Sequence, residues 1–515
     1  YEKIYKTKGT KMTIKAPSYA EIKEIAKLKG LNLTDAELEV FTSLMEGTIE
    51  SYKHIDSMTY NVKTNKFPRD SGYVPDPSEN PFRAWRRKCE IRGAKTGKLK
   101  GKRVAIKDNI SVAGIPMNNG TSLLEGYIPE NDASVVTLLL EAGATIVGKA
   151  SCENLCLSGG SHTNDFGTVL NPRNPKFSSG GSSSGSAALL ANDEIDIAIG
   201  GDQGGSIRIP SSWCGVVGLK PSHGLVPYTG AFPIEQTLDH LGPMGKTVAD
   251  VALTLDVISA PDQLDPRYKQ TRKKYYLNAL NDDVSDLKIG LVSEGLNWPD
   301  ISDQDVDMAI KKLAKDLNRS GIQTEEVSIP AHRLGMHVWN AIAIEGAHSQ
   351  MFQNHVNGKN WKGLYEVELG TFFSQALKQN IDLLSDTGKL IYLLGTYMSK
   401  KYNGKYYAKA RNLAIWLTKI FDDKLSHFDA LLMPTTPTCA FPAITNESNT
   451  KENVQNALGM IHNTATFDVT GHPALSVPCA TKGENLPIGA MVVGSHNSDD
   501  MVLKIGREIE KLSSK

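Results

Sequence analysis

Three short segments carry residue types that can do covalent chemistry. The first, Val104-Ala105-Ile106-Lys107-Asp108-Asn109-Ile110, sets a lysine directly after an apolar run. A lysine placed there is drawn toward the core, where it must find partners or lose its charge. Taken alone, it is equally a strand-end lysine that snorkels to water. The second, Ser178 through Ala188, reads Ser-Ser-Gly-Gly-Ser-Ser-Ser-Gly-Ser-Ala-Ala and runs into an Ala-Leu helix. Its small residues let the backbone approach another element or a reacting group closely, although a flexible Gly/Ser loop has the same composition. The third, Gly200-Gly201-Asp202-Gln203-Gly204-Gly205-Ser206-Ile207-Arg208, places a serine where successive backbone N–H groups can converge. That is the geometry of an oxyanion hole, and also of a plain glycine-rich turn. The chemistry of the three would be coherent. A serine hydroxyl is a weak nucleophile until a base takes its proton. A lysine, with a reference pKa of about 10.4, serves as that base only as the neutral amine, which desolvation favours.

Other motifs fail on context. Gly143-Ala-Thr-Ile-Val-Gly148-Lys149 matches most of a phosphate-binding loop, but Ala150 stands where Mg²⁺ coordination wants Ser or Thr. It also follows a helix and leads into a strand, the reverse of the required order, so Gly143 reads as a helix C-terminus. Gly181-Ser182-Ser183-Ser184-Gly185 matches G-x-S-x-G with Ser183 as nucleophile, but the residues before it, Asn171 to Ser179, read as a loop where that elbow needs a strand. The 12 histidines are scattered with no H-E-x-x-H, so no metal site is expected. The six cysteines (Cys89, Cys152, Cys156, Cys214, Cys439, Cys479) form no short disulfide framework, and reduced thiols are expected.

The elements that must hold these segments are legible in outline. Residues 17–57 read as helices, with Ser18/Glu21 and Thr34/Glu37 as capping boxes. A proline-rich stretch (Pro68, Pro75, Pro77, Pro81) follows and reads as a linker. Beyond about Lys98, strand-like runs (Arg103–Ile106, Thr145–Gly148, Ile195–Ile199) alternate with helix-like ones (Ala133–Glu141, Gly185–Ala191, Val248–Ile258), the pattern of an α/β layer architecture. A mostly helical region at 327–425 precedes returning strands at Ala430–Met433 and Ala490–Val493. The expected organisation is an N-terminal helical domain with linker (1–91), a catalytic core (92–326 and 426–515), and a helical subdomain (327–425) over the site. The 515-residue chain balances Lys+Arg 57 against Asp+Glu 57, so net charge gives no case for nucleic acid or an anionic membrane. No window approaches ~20 apolar residues, and no secretory leader pattern opens the chain; a soluble cytoplasmic protein is expected.

Jointly, the three segments resemble the amidase signature family. The likeness rests on Gly180-Gly-Ser-Ser-Ser-Gly-Ser-Ala187, Gly201-Asp-Gln-Gly-Gly-Ser-Ile-Arg208, Trp213-Cys-Gly-Val-Val-Gly-Leu-Lys-Pro221 and the lysine motif Ala105-Ile-Lys-Asp-Asn109, and reaches from about residue 80 to the C-terminus. Ser184 departs from the glycine many members carry. The resemblance implies a central mixed β-sheet covered by helices on both faces. It implies Ser206 as nucleophile, Ser182 as bridging serine after a cis peptide, and Lys107 as the final base. Backbone N–H groups of Gln203, Gly204, Gly205 and Ser206 would form the oxyanion hole, with Ser183, Asp202 and Arg208 behind them, and no cofactor. Gly224 to Glu235 resembles microbial acylamide amidases, which implies a small-molecule amide substrate, with Leu157, Leu238, Trp339 and Ile461 lining the acyl pocket. Urethanases, which cleave carbamates, and glutamine-dependent amidotransferases, which work with a partner protein, are the related alternatives. The N-terminal helical domain is a candidate homodimer contact.

Overall fold

The computed structural model describes residues 14–58, 65–268, 274–444 and 448–513. The chain divides into two compact units, 1–64 and 65–515. In the first, α1 (Tyr19–Lys29) and α2 (Asp35–Ser57) form a helix pair only large enough to bury Ile22, Ala26 and Leu38. Both expected capping boxes are closed: Ser18 and Thr34 hydroxyls accept from the Glu21 and Glu37 N–H, and each glutamate accepts back from the cap N–H at 2.7 Å. Each box satisfies two donors that a helix start leaves open. Gly30, at φ +71°, ends α1 in a left-handed conformation that costs glycine nothing.

The second unit is built on one sheet. Its strands are β1 (Trp85–Arg92), β2 (Arg103–Lys107), β3 (Thr145–Ala150), β4 (Ile197–Asp202), β5 (Val217–Lys220), β6 (His240–Gly245), β7 (Lys288–Val292), β8 (Gln323–Val327), β9 (Ala430–Pro434), β10 (Ala474–Lys482) and β11 (Leu486–Val493). They lie side by side in the order β1-β3-β2-β4-β6-β5-β10-β11-β9-β7-β8. β3, β2 and β4 run parallel, as do β9, β7 and β8, while the pairs between β4 and β9 are antiparallel. The sheet is therefore mixed. Every residue of β4, β5, β6, β9 and β11 is buried, which requires cover on both faces. Helices supply it: α3 (Ser134–Glu141), α4 (Ser184–Ala191), α5 (Arg208–Cys214), α6 (Val248–Ile258), α7 (Tyr276–Ala279) and α8 (Gln304–Arg319) come from between strands. The stretch expected to be helical holds α9 (Gly335–Ala347), α10 (Val367–Gln379), α11 (Asp386–Tyr402) and α12 (Lys405–Leu425). α13 (Thr450–Leu458), α14 (Ala465–Thr470) and α15 (Asp499–Ser513) complete the set.

Two local expectations need adjustment. The segment around Trp85, placed by the sequence reading in the 1–91 helical domain and linker, is an edge strand paired antiparallel with β3, so the sheet begins before residue 92. Trp85 and Ile91 turn inward while the basic residues between them stay partly exposed, which masks the strand in a composition-based reading. β4 extends through Gly200-Gly201-Asp202, which places the start of the third segment in the sheet and not in a loop. The phosphate-loop lookalike behaves as its order implies: α3 ends at Glu141, Gly143 (φ +88°) follows just beyond its cap, and Lys149 lies buried in β3 with its amine 3.0 Å from Asp108.

Candidate active site

Lys107 is the last residue of β2 and is wholly buried. Its side-chain nitrogen has two partners, Ser182 Oγ at 2.7 Å and the Gly201 carbonyl at 3.2 Å, and so does not snorkel. Ser182 belongs to the second segment, just before α4, and the Gly181–Ser182 peptide is cis. Gly185, one turn on, lets this segment lie against the core: a Cβ there would stand 2.3 Å from the Ala84 carbonyl oxygen. Ser183 ties the segment to the third one, exchanging hydrogen bonds with Gly201 through Oγ (3.2 Å each way) and donating its N–H to the Ser206 carbonyl at 3.1 Å. The hydroxyl of Ser184 is buried without a partner among the described residues, so the extra side chain is accommodated but not used.

Ser206 sits between β4 and α5 and lines a cavity with about 570 Å³ of empty space. No side-chain hydrogen bond joins Ser206 to Ser182 among the described residues. Catalytic hydrogen bonds of this type often close only when substrate is bound. The loop leading to Ser206 is fixed from behind. Asp202 accepts from the N–H groups of Gly205 (2.6 Å) and Ile207 (3.0 Å) and pairs with Arg208 at 3.0 Å. Burial pushes the Asp202 carboxyl up, but the Arg208 charge outweighs it and holds the group well below the usual carboxylate range. Arg208 also reaches Asp468 on α14 at 2.6 Å and the Thr464 carbonyl at 2.9 Å. Asp468 is held well above the ordinary range by burial and by the neighbouring Asp202 charge.

The oxyanion assignment needs one correction. The Gly205 N–H is committed to Asp202 and cannot face a substrate. Among the described residues, no group accepts from the N–H of Gln203, Gly204 or Ser206. Because the carbonyl and N–H of one trans peptide point in opposite directions, pinning the carbonyl aims the N–H. The Gln203 carbonyl is pinned by Trp339 Nε1 at 2.6 Å, and the Gly205 carbonyl by the Ile209 N–H at 2.7 Å. Gly204 and Ser206 N–H are thereby held as preorganised donors.

Leu157, Leu238, Trp339 and Ile461 all line the same cavity as Ser206, with Ile209, Ile234, Ala343, Ala347, Ile391 and Leu458. Several participants were not singled out in the sequence, although Tyr228 lies within the Gly224 to Glu235 run. Thr464 donates to the Gly204 carbonyl at 2.6 Å. Tyr228 accepts from Gln203 Nε2 at 3.0 Å and donates to the Phe232 carbonyl at 2.9 Å, which leaves Gln203 Oε1 as an acceptor with no partner among the described residues. Cys156 also faces the cavity. Burial alone would raise its thiol, but hydrogen bonding with Cys152 and the charge Lys107 carries when protonated draw it below the ordinary thiol range, while Cys152 is held well above its ordinary value. The spacing of these residues along the chain carries no motif; only the fold brings them together.

A lysine bonded to one serine, a second serine on a loop with open N–H donors, and an apolar cavity beside them are an arrangement that can support acyl transfer at serine. Known proteins resemble the chain in sequence and fold. The Amidase family profile matches residues 78–503. An enantioselective amidase of Rhodococcus rhodochrous is 43% identical over 478 residues, covering 92% of this chain and 91% of that protein. A glutamyl-tRNA(Gln) amidotransferase subunit of Methanosarcina mazei is 34% identical over 430 residues, covering 81% and 85%. Among solved structures, the corresponding amidotransferase subunit of Thermotoga maritima superposes with TM-score 0.70 at 30% identity, covering 84% of this chain and 88% of that one. A peptide amidase bound to the competitive inhibitor chymostatin gives 0.66 at 26%, covering 81% and 84%. The chain belongs to the amidase signature family. It is an enzyme that hydrolyses amides.

Proposed function

We propose that this enzyme hydrolyses small neutral aliphatic or aromatic primary amides to a carboxylate and ammonia, through an acyl-enzyme on Ser206. The 2.7 Å bond from Lys107 Nζ to Ser182 Oγ carries the reading, because it gives the serine beside the nucleophile a base. In the proposed course, Ser206 Oγ attacks the amide carbon while its proton passes to Ser182, whose own proton passes to the Lys107 amine. The carbonyl oxygen takes the negative charge and accepts from the Gly204 and Ser206 N–H groups. Each such donor is typically worth about 3–4 kcal/mol in the transition state. The C–N bond then breaks as the proton returns through Ser182 to the departing nitrogen, and water repeats the sequence to release the acid. In this proposal Gln203 Oε1, a buried acceptor with no partner among the described residues, accepts from the substrate's amide N–H.

The cavity lining is aliphatic apart from Trp339, Glu235 and a few small polar groups, which favours compact uncharged acyl groups. The 43% identity to an enantioselective amidase supports discrimination between enantiomers of a chiral acyl group. A panel of acetamide, benzamide, an anilide, ethyl carbamate and glutamine tests the proposal. Ammonia release from the simple amides by the purified chain is expected, with Ser206→Ala inactive and Lys107→Ala severely slowed. Near-normal rates in either variant would overturn the relay. Preference for ethyl carbamate would make the enzyme a urethanase, and ammonia release only from glutamine with a partner would make it part of an amidotransferase.

We also propose self-association through the N-terminal unit, where α2 exposes Val40, Leu44 and Ile55. Leu44→Glu is expected to shift the full chain from dimer to monomer in light scattering. A cytoplasmic location is part of the same proposal; among the described residues, no helix is long and apolar enough to cross a membrane.

A further inference from the structure

The chain as a whole carries no net charge, but one helical hairpin of it is strongly basic. From Lys389 in α11 to Lys419 in α12 stand six lysines and Arg411, with no Asp or Glu. All six lysines are exposed, and none pairs with a carboxylate among the described residues. The same stretch exposes large apolar groups: Leu393 at 69%, Ile415 at 71% and Trp416 at 45%, with Tyr397, Tyr406 and Leu413 beside them. Ile391 and Gly395 on α11, and Ala410, Ala414, Leu417 and Phe421 on α12, are buried at helical spacing, so the lysines and exposed apolar groups share the outward sides. Asn403 and Gly404, left-handed at φ +51° and +74°, reverse the chain between the helices. An aromatic row crosses this turn: the Tyr397 and Tyr402 rings meet edge-on at 6.1 Å, and Tyr402 and Tyr406 at 5.2 Å. Lys401 stands over the Tyr397 and Tyr402 rings at 5.4 and 5.9 Å, and Lys405 over Tyr406 at 5.7 Å. At the turn the two helices therefore present one continuous basic and aromatic surface.

An ordinary solvated helix face mixes charges of both signs and leaves few large apolar groups uncovered. Neither holds here. The nearest acids along the chain, Asp386 and Asp422, stand at the far ends of the two helices and are engaged with Asn453 and His472. A second copy of this face is a poor occupant, since it would set lysines against lysines. A nucleic acid would meet the lysines but leave Leu393, Leu413 and Ile415 without a role, because phosphates are held by charge and hydrogen bonds. An anionic bilayer surface uses both kinds of group. Its headgroups attract lysines, Trp and Tyr rings settle at headgroup level, and lysine stems lie along apolar surface with the ammonium in water. No helix of the described residues is long and apolar enough to cross a membrane, so the contact is with the interface alone.

We propose that the outward face of α11 and α12 docks on the surface of an anionic phospholipid bilayer, with Lys400, Lys401 and Lys405 at the lipid phosphates and Leu413, Ile415 and Trp416 at the boundary of headgroups and acyl chains. Docking leaves the proton relay untouched, since none of these residues lines the cavity at Ser206. The test is co-sedimentation of the full chain with vesicles of phosphatidylcholine, alone or with about 30% phosphatidylglycerol. Binding to the mixed vesicles is expected at about 0.1 M salt, with little on phosphatidylcholine alone and release at about 1 M, where the screening length falls to about 3 Å. Lys401→Glu combined with Lys405→Glu should lower the partition coefficient about tenfold or more, and Ile415→Ser combined with Trp416→Ser by a similar factor. Lys95→Glu combined with Lys100→Glu makes the same charge change on another exposed segment and should bind as wild type does. Thermal midpoints and amide hydrolysis in vesicle-free buffer should be unchanged in all three variants, which shows that they fold. No binding of the wild-type chain to the mixed vesicles, equal binding to both compositions, or undiminished binding by either α11–α12 variant would overturn the proposal. So would binding that needs the lysines but not Ile415 and Trp416 and that extends to polyuridylic acid, which would make the face a nucleic-acid surface.

Discussion

Replacing Trp339 by phenylalanine separates two roles that the structure gives one side chain. The indole lines the acyl cavity, and its Nε1 pins the Gln203 carbonyl at 2.6 Å. Its ring also crowds the loop, so that a Cβ on Gly204 would meet Cζ2 at 2.8 Å. Phenylalanine keeps most of the apolar wall and removes only the donor. The lost hydrogen bond, with its carbonyl left short of a partner in a buried setting, costs about 1–3 kcal/mol. If that cost is expressed as misalignment of the Gly204 N–H, kcat/KM falls about 5- to 150-fold, approaching the 10²–10³ of a deleted oxyanion donor. The assay is steady-state ammonia release from benzamide, with circular dichroism melts to check folding. Most of the loss should appear in kcat, because the donor matters most once charge develops on the oxygen. Thr464→Val is the internal control. It frees the Gly204 carbonyl, whose peptide carries the Gly205 N–H already held by Asp202, so its effect on kcat should be smaller. A Trp339→Phe enzyme with raised KM and unchanged kcat would show the residue to be cavity wall alone and would refute the pinned-peptide account.

Asp202→Asn leaves Arg208 buried against Asp468 alone, and loss of one partner from a buried ion pair costs about 3–5 kcal/mol; the melting midpoint should drop clearly, and an unchanged midpoint would contradict the bracing role. The Cys156 thiol, drawn below the ordinary thiol range, should react with iodoacetamide at a rate that already climbs below that range, with loss of activity and protection by substrate. A Cys156→Ser enzyme should be insensitive, and a rate that rises only in the ordinary thiol range, or that persists in the variant, would count against this. Burial pushes the Asp239 carboxyl up to about 8, against the partial offset of Arg267. The folded chain therefore holds a proton that the unfolded chain releases near pH 4, and the contribution is complete below that pH and lost as pH rises to about 8. Asp239→Asn, which mimics the protonated form, should flatten the fall of the melting midpoint between about pH 5 and 8; an unaltered slope would dismiss Asp239 as its source.

What could be read beforehand follows from how local each feature is. The capping boxes at Ser18 and Thr34 span four residues and need no tertiary partner, and α1 and α2 begin where they indicate. Lys107 and Ser182 could be paired only through the resemblance to the amidase signature family, since each segment alone fits an ordinary strand end or a flexible loop; the fold adds why the residues around them are small, as Gly185 against Ala84 illustrates. The oxyanion loop marks the limit. Glycine content predicts that N–H groups converge, but which of them stays free depends on Asp202, Trp339, Thr464 and Ile209, and their partnerships are set by the fold. A local reading therefore counts Gly205 as a donor. Only the carbonyl-by-carbonyl accounting assigns its N–H to Asp202 and leaves Gly204 and Ser206 as the aimed pair. The same reasoning covers Asp468, which braces Arg208 from a helix far along the chain: its burial beside Asp202 would be costly were Arg208 not shared between the two carboxyls. The Ser206 loop is thus braced from behind by charge and from the side by carbonyl bonds, while the cavity it lines is mostly aliphatic.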